Sequence, residues 1–318
     1  MLADIVKKPC YHAGGTLKLV LPFLKAHDVT DRQIHEFSAH NIILIKDTKQ
    51  ALQHICKIAP AFIVSTSYEH YMKELCKLID FPYENTYCTR LNMDKYTIPD
   101  NEKKQLRQLA DKIAHMPLFD IPPNAKALDD LPKEAQNTVE RLDHVFWKQI
   151  AATQAGKIYD KVDPVGGIGK AEAVKDVVRK QGATLSDVIY VGDSITDEEA
   201  FKLVKQNDGL TVSFNGNRYA IDNADVAVMS ETSLVTALVA DTFIKHGKDA
   251  ALRLAGNWSS DALQKSAADA NLTRSILKLY PAELPKVKII TSQNIVTLAK
   301  ESTRFREEVR GEAIGKLG

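Results

Sequence analysis

The sequence predicts an α/β protein whose core is a doubly wound parallel sheet, with helical segments added to it. Short apolar runs at 188–191, 210–214 and 226–229 are each bounded by polar turns, as buried strands are. Segments 170–181 and 193–204 lie between or before these runs and have helical periodicity. Strands that alternate with helices of this length are typical of parallel, doubly wound sheets.

Helical segments are predicted before, within and after this core along the chain. The four predicted parts are an N-terminal helical, cap-like segment (1–57), the α/β core (58–98 and 158–240), a helical insert (99–157) and a C-terminal helical appendage with one late strand (241–318). Thr30 and Gln33 form a T-x-x-Q capping box that begins one of the N-terminal helices. In the core, the apolar run 61–64 predicts a strand that opens into a polar turn at Ser65-Thr66-Ser67.

Composition excludes several classes of protein. The 318 residues include 42 Lys and Arg against 41 Asp and Glu, and the net charge of +1 argues against nucleic-acid binding through bulk charge. No run of 18 apolar residues is present, so no membrane span is predicted. The four cysteines, at 10, 56, 76 and 88, have no C-x-x-C spacing, and we interpret them as reduced thiols of a cytoplasmic protein.

The most specific motif follows the strand at 188–191. Gly192-Asp193 ends this strand, and Asp197 follows four residues later. Ligands of open parallel sheets bind at the carboxyl ends of the strands, and two carboxylates there are typical of a Mg²⁺ site. The alternative is structural: Asp193 would cap the next helix, and Asp197 would be a solvated residue of its first turn.

Three further features favour a phosphate at the same place, although each has a structural alternative. Ser65 and Thr66 follow a buried strand and could cradle a phosphate, but they are also ordinary caps. Lys170 begins a helix, where a cation opposes the helix dipole and suggests a compensating anion; a solvated lysine is the alternative. Asn215 ends the strand after the Asp pair, although Asn-Gly is a common turn.

In chain order, these motifs resemble motifs two to four of the haloacid dehalogenase (HAD) superfamily, whose commonest members are Mg²⁺-dependent phosphatases with a Rossmann-like fold. The resemblance covers about residues 63–229 without the helical insert. VGDSITDEEAF followed by VSFNGN is most similar to the phosphoserine-phosphatase-like branch. The whole chain, from VKKPCYHAGG onward, also resembles a narrower archaeal family labelled energy-converting hydrogenase A subunit R, which implies a possible association with a hydrogenase complex.

The resemblance implies a role for each matched residue. Asp193 would ligate Mg²⁺ directly, and Asp197 would ligate it or orient its waters. Lys170, as the catalytic lysine, would neutralise the phosphoryl charge. Ser65, Thr66 and Asn215 would bind phosphate oxygens. The substrate implied is a small phosphorylated molecule, and the chemistry is phosphoryl transfer by positioning and charge neutralisation.

The superfamily's first motif, a strand that ends in Asp-x-Asp and supplies the nucleophile and the acid/base, has no match here. The chain contains no Asp-x-Asp, and in the nearest imitation, Ile42 to Asp47, the acid/base position is Lys49. We therefore expect this motif to lie upstream of Met1 in a longer natural protein. As given, the chain is expected to lack the nucleophile strand and to be inactive.

Two functions thus stay open from the sequence: a phosphatase-type hydrolase whose nucleophile is missing from this chain, and a non-catalytic binding or accessory protein. A P-loop fails on spacing, because Pro164 and Ala171 stand where Gly and Ser or Thr are needed. A serine hydrolase fails because Thr196 stands at the second Gly of G-x-S-x-G. The nine histidines have no metal-ligand spacing.

Overall fold

The computed structural model describes residues 5–9, 11–122 and 125–311, so Cys10 lies outside the described residues. The chain forms two compact units, each with its own core. The first unit comprises Met1–Ile42, Ser65–Leu75 and Cys88–Gly166, and the second comprises Ile43–Val64, Cys76–Tyr87 and Gly167–Gly318. The four parts predicted from the sequence stay a prediction.

The first unit is mainly helical. Its helices are α1 (Thr16–Ala26), α2 (Asp31–His40), α5 (Asp100–Ala114), α6 (Lys133–His144), which continues as a π-helix (Val145–Ile150), and α7 (Ile158–Lys161). The capping box is present at the start of α2, where Gln33 N–H donates to Thr30 Oγ1 at 3.2 Å and Thr30 N–H to Gln33 Oε1 at 2.9 Å. Leu106 and Leu109 of α5 are buried with Val145 and Ile150, because their spacing places them on one helical face.

The predicted polar turn at Ser65-Thr66-Ser67 is wrong. Strand β1 runs over Ile63–Tyr68 and pairs with β2 (Thr86–Thr89) in a two-stranded sheet, and helix α4 (Glu69–Ile79) begins directly after it. Serine and threonine hydroxyls do not end a strand whose backbone finds a partner, and β-branched Thr66 favours extended backbone. The two strands and α4 include residues of both units.

The second unit contains a four-stranded sheet with the order β3-β4-β5-β6. Its strands are β3 (Ile189–Gly192), β4 (Leu210–Phe214), β5 (Val226–Met229) and β6 (Lys286–Ile289). The first three are parallel, and β6 pairs antiparallel with β5. The bounds of β4 and β5 are those that the sequence predicts.

Helices cover both faces of this sheet, which confirms the doubly wound α/β fold. The helices of this unit are α3 (Thr48–Cys56), α8 (Ile168–Gln181), α9 (Glu198–Gln206), α10 (Arg218–Asn223), α11 (Leu234–Gly256), α12 (Ser260–Lys265), α13 (Ala270–Leu279) and α14 (Ile295–Arg310). Val226 and Val228 of β5 pack in the cluster that contains α11, whereas Ala227 and Met229 pack against α14. This alternation follows from the two-residue period of a strand.

Asp47 directly precedes α3, but its side chain does not cap the helix. Its backbone is left-handed (φ 61°), and its carboxylate instead accepts a 2.6 Å hydrogen bond from the Thr232 hydroxyl. The residue before it, Lys46, forms an isolated parallel bridge with Thr232, which lies after the end of β5. Among the described helices, none is long and apolar enough to cross a membrane.

Candidate functional site

The candidate site lies at the carboxyl edge of the parallel strands of the second unit. Asp193 follows β3 and Asn215 follows β4, and the register that pairs Gly192 with Ser213 brings these two strand ends side by side. Asn217 N–H donates to the Asp193 carbonyl at 2.9 Å, which joins the two loops. The edge therefore has the position at which open α/β sheets bind ligands.

Gly192 allows the backbone to pass close to the second carboxylate of the motif. A Cβ atom at this position would lie 2.6 Å from Cγ of Asp197 and 2.7 Å from its Cβ, closer than side chains approach. The chain can then turn sharply into the 3₁₀ turn at Ile195–Asp197, which Ser194 begins as part of a capping box with Asp197. The close approach of Gly192 to Asp197 thus makes a glycine at this place in the motif a requirement of packing.

Asp197 is buried, and donors surround both of its carboxylate oxygens. Oδ1 accepts hydrogen bonds from Lys170 Nζ at 2.7 Å and from the Tyr190 hydroxyl at 2.8 Å. Oδ2 accepts from the backbone N–H groups of Asp193 and Ser194, at 3.1 and 3.0 Å, and from the Ser194 hydroxyl. Asp197 is therefore not a solvated residue of a helix turn.

Lys170 lies in the first turn of α8, where a cation suggests a compensating anion. That anion is the carboxylate of Asp197. The two side chains are 8% and 3% exposed. Burial alone would raise the pKa of Asp197, but the Lys170 charge and the hydrogen bonds hold that pKa below its ordinary value. Burial and the Asp197 charge raise the pKa of Tyr190 well above its ordinary value, so the phenol stays a hydrogen-bond donor.

Asp193 is paired with two arginines that the sequence analysis did not identify. Arg306 Nη1 donates to Asp193 Oδ2, and Arg310 Nη1 lies 2.7 Å from the same oxygen. Both arginines belong to α14, and they are four residues apart. The sequence does contain a signal for Arg306: it continues the buried face formed by Leu298 and Ser302 at four-residue steps.

Asn215 has a structural role in this arrangement. Its backbone is left-handed (φ 48°), and both atoms of its side-chain amide are used: Nδ2 donates to the Ser230 carbonyl at 2.8 Å, and Oδ1 accepts from Ser230 N–H at 2.9 Å. These bonds join the loops after β4 and β5 at the carboxyl edge. Its predicted contact with a phosphate oxygen stays a prediction.

Ser65 and Thr66 belong to the first unit, whereas Lys170, Asp193, Asp197 and Asn215 belong to the second. Ser65 Oγ accepts a 3.2 Å hydrogen bond from Ser67 N–H. Oγ1 of Thr66 is buried and has no hydrogen-bond partner among the described residues. The phosphate-binding roles predicted for Ser65 and Thr66 stay predictions.

Comparison with known proteins identifies the family. A family model described as haloacid dehalogenase-like hydrolase matches residues 31–244, which is more than half of the chain. The chain belongs to the HAD-like hydrolases. It is also similar to the solved structure of gene product AF1437 from Archaeoglobus fulgidus, with a TM-score of 0.74 and 23% identity over 98% of this chain and 84% of that one. A search of curated proteins finds no match.

These findings confirm the HAD superfamily and the HAD-like fold that the sequence predicts. The fold is also that of an archaeal protein, AF1437. The narrower resemblance to energy-converting hydrogenase A subunit R, and the association with a hydrogenase that it implies, find no support in the comparisons.

HAD-like hydrolases generally use Mg²⁺, so the donor set of this site can be compared with what that ion requires. Mg²⁺ takes six oxygen ligands and binds through one or two carboxylates, substrate phosphates and water. Both oxygens of Asp197 and the amide of Asn215 are already occupied. Asp193 has two guanidinium groups at its Oδ2. The residues described here, in this arrangement, do not form a magnesium site.

A second polar cluster of this unit lies in the packing of α3, α11 and α13. His54 Nε2 is 2.8 Å from Oδ1 of the fully buried Asp241, and Asp269 lies beside them. Lys245 Nζ is 2.7 Å from the same Asp241 oxygen. Asp269 Oδ1 caps α13 by accepting from the N–H groups of Asn271 and Leu272. The Lys245 ammonium group thus lies beside the carboxylates of this cluster.

Proposed function

We propose that the second unit binds the phosphate group of a small phosphorylated molecule at the carboxyl edge of β3 and β4. The observation that supports this most directly is the buried pair of Lys170 and Asp197 beside Asp193, in a chain that belongs to a hydrolase family. Asp197 fixes the position of the Lys170 ammonium group, which has three donors and makes one hydrogen bond among the described residues. The other donors can neutralise a phosphoryl group.

We assign the site to the phosphatase-type reaction class, in which phosphoryl transfer depends on positioning and charge neutralisation. Lys170 is the phosphate-binding residue, and Tyr190 and Ser194 position it through Asp197. The chain contains no Asp-x-Asp, and so it has no such motif to supply an attacking carboxylate next to an acid/base. We therefore propose that this chain binds phosphate esters without turning them over.

Titration calorimetry with inorganic phosphate tests this proposal. Lys170→Met alone would leave the Asp197 charge buried and unpaired, so the variant to use is Lys170→Met with Asp197→Asn, which removes both charges together. We expect phosphate to bind the unaltered chain and the double variant to lose most of that affinity. The matched control is Lys175→Met on the same helix, where the side chain is 52% exposed and pairs with Glu172.

Two results would contradict the proposal. One is equal phosphate affinity in the double variant and in the unaltered chain, provided that circular dichroism shows both to be folded. The other is turnover of p-nitrophenyl phosphate that Asp193→Asn abolishes, because a nucleophile would then be present in the chain.

A further inference from the structure

We propose that the Arg306–Arg310 pair takes the place of a divalent cation at Asp193, so that this chain binds a phosphate group without a metal ion. The inference rests on the proposed phosphate site and goes beyond it. The two arginines neutralise the charge of Asp193, and Arg310, which lies outside the matched motifs, also contacts the phosphate.

The Arg306 side chain is buried at the carboxyl edge of the sheet. Its Nη1 donates to the carboxylate of Asp193, to the Asp193 carbonyl at 3.1 Å and to the Asn215 carbonyl at 3.3 Å. The Arg306 side chain is 3% exposed. One guanidinium therefore joins the loops after both β3 and β4.

Arg310 lies one helical turn further along α14 and is more accessible. Its Nη1 is 2.7 Å from Asp193 Oδ2, and its side chain is 27% exposed. A guanidinium has five N–H donors in a planar fork, a geometry that matches two oxygens of a phosphate. Because a single contact to Asp193 uses one of these donors, Arg310 can hold Asp193 and a phosphate at the same time.

The helix that carries both arginines is fixed to the unit independently of them. Leu298 and Ala299 pack with Ile221, Ala227 and Met229 in one buried cluster. The buried Ser302 hydroxyl donates to the Gly216 carbonyl at 2.6 Å. The arginines are thus held in place before any ligand binds, which lowers the entropy lost on binding.

The charges at the edge favour an anion over a second cation. Lys170, Arg306 and Arg310 are positive, and Asp193 and Asp197 are negative, so the five side chains have a formal net charge of +1. A divalent cation at Asp193 would lie close to two guanidinium groups and would be repelled. A phosphate would instead complete the charge balance of the site.

The first test is titration of inorganic phosphate into the full chain in EDTA and again in excess MgCl₂. We expect the same affinity in both solutions. Arg310→Met should lower that affinity about tenfold or more, since a hydrogen bond between charged groups is lost, and Arg310→Lys should give an intermediate value. The matched control, Arg304→Met, removes an 84% exposed arginine of the same helix that pairs with Glu308, and should change nothing.

The second test follows thermal unfolding during titration with MgCl₂ alone. We expect MgCl₂ to leave the melting temperature of the unaltered chain unchanged. In Arg310→Met or Arg306→Gln, MgCl₂ should raise the melting temperature, because the Asp193 carboxylate is then accessible to the ion. Two results would overturn the inference and leave the proposed function standing. One is a rise in the melting temperature of the unaltered chain with MgCl₂. The other is phosphate binding that requires Mg²⁺ and is unchanged by Arg310→Met. Absence of phosphate binding in both solutions would instead overturn the proposed function.

Discussion

Asp197 shows how one buried side chain can hold the residues of a candidate site in place. The side chains of Lys170, Tyr190 and Ser194 all donate to it, and so do the backbone N–H groups of Asp193 and Ser194. A buried carboxylate is stable only when such donors are present, because an unpaired charge in the interior is costly. The position of the Lys170 ammonium group is therefore determined by residues on β3 and in the loop that follows it.

Tyr190→Phe tests this network at the level of one atom. The variant keeps the ring, whose centroid lies 5.3 Å from that of Phe201, and removes only the donor to Asp197. We expect a loss of roughly 1–3 kcal/mol in the free energy of unfolding, because one hydrogen bond to a buried charge disappears. Urea unfolding measures it. Tyr87→Phe is the control, since its hydroxyl bonds the more exposed Asp176; equal losses in the two variants would contradict the argument.

At the scale of elements, Asp31 joins the start of α2 to the segment after β2. Its carboxylate accepts from the N–H groups of Met93 and Asp94, at 2.8 and 3.1 Å, and from His70 Nε2 at 2.8 Å. Burial acts to raise the pKa of Asp31, but these hydrogen bonds leave it below the ordinary value of 3.8. The ionised carboxylate is thus part of the folded first unit.

This gives an expected pH dependence. Because the pKa of Asp31 is lower in the folded chain, its stabilisation is complete above the unfolded value and is lost as the pH falls through the folded value. Asp31→Asn should therefore flatten the decline in unfolding free energy between about pH 5 and pH 2. Asp100→Asn, at a side chain 96% exposed, serves as the control. An unchanged acid slope in Asp31→Asn would show that other carboxylates cause the decline.

Elements differ in how well the sequence predicts them, and the reason is physical. The apolar runs of β4 and β5 lie between polar turns, so periodicity alone gives their bounds. The end of β1 depends on pairing with β2, which lies more than fifteen residues away, and a local reading of Ser65-Thr66-Ser67 as a turn was wrong. Pairing partners of this kind are not visible in a short window of sequence.

The same distinction holds for the candidate site within the whole molecule. Lys170, Asp193 and Asp197 could be found because they lie in short motifs next to strands. Arg306 is 113 residues from Asp193 in the chain and belongs to no such motif, so only the fold brings the two together. The matched family region, 31–244, also ends before this helix begins.

For the whole molecule, the balance of 42 basic and 41 acidic residues argues that the proposed phosphate site does not belong to a strongly basic surface. Nucleic-acid binding requires many phosphate contacts at once, and its affinity falls steeply with salt. We therefore expect no saturable binding of a labelled DNA duplex at low salt, measured by fluorescence anisotropy on a preparation that binds inorganic phosphate. Saturable DNA binding with a steep salt dependence would contradict this expectation. It would mean that phosphate binding depends on clustered cations elsewhere on the chain, and not on Lys170 and Arg310.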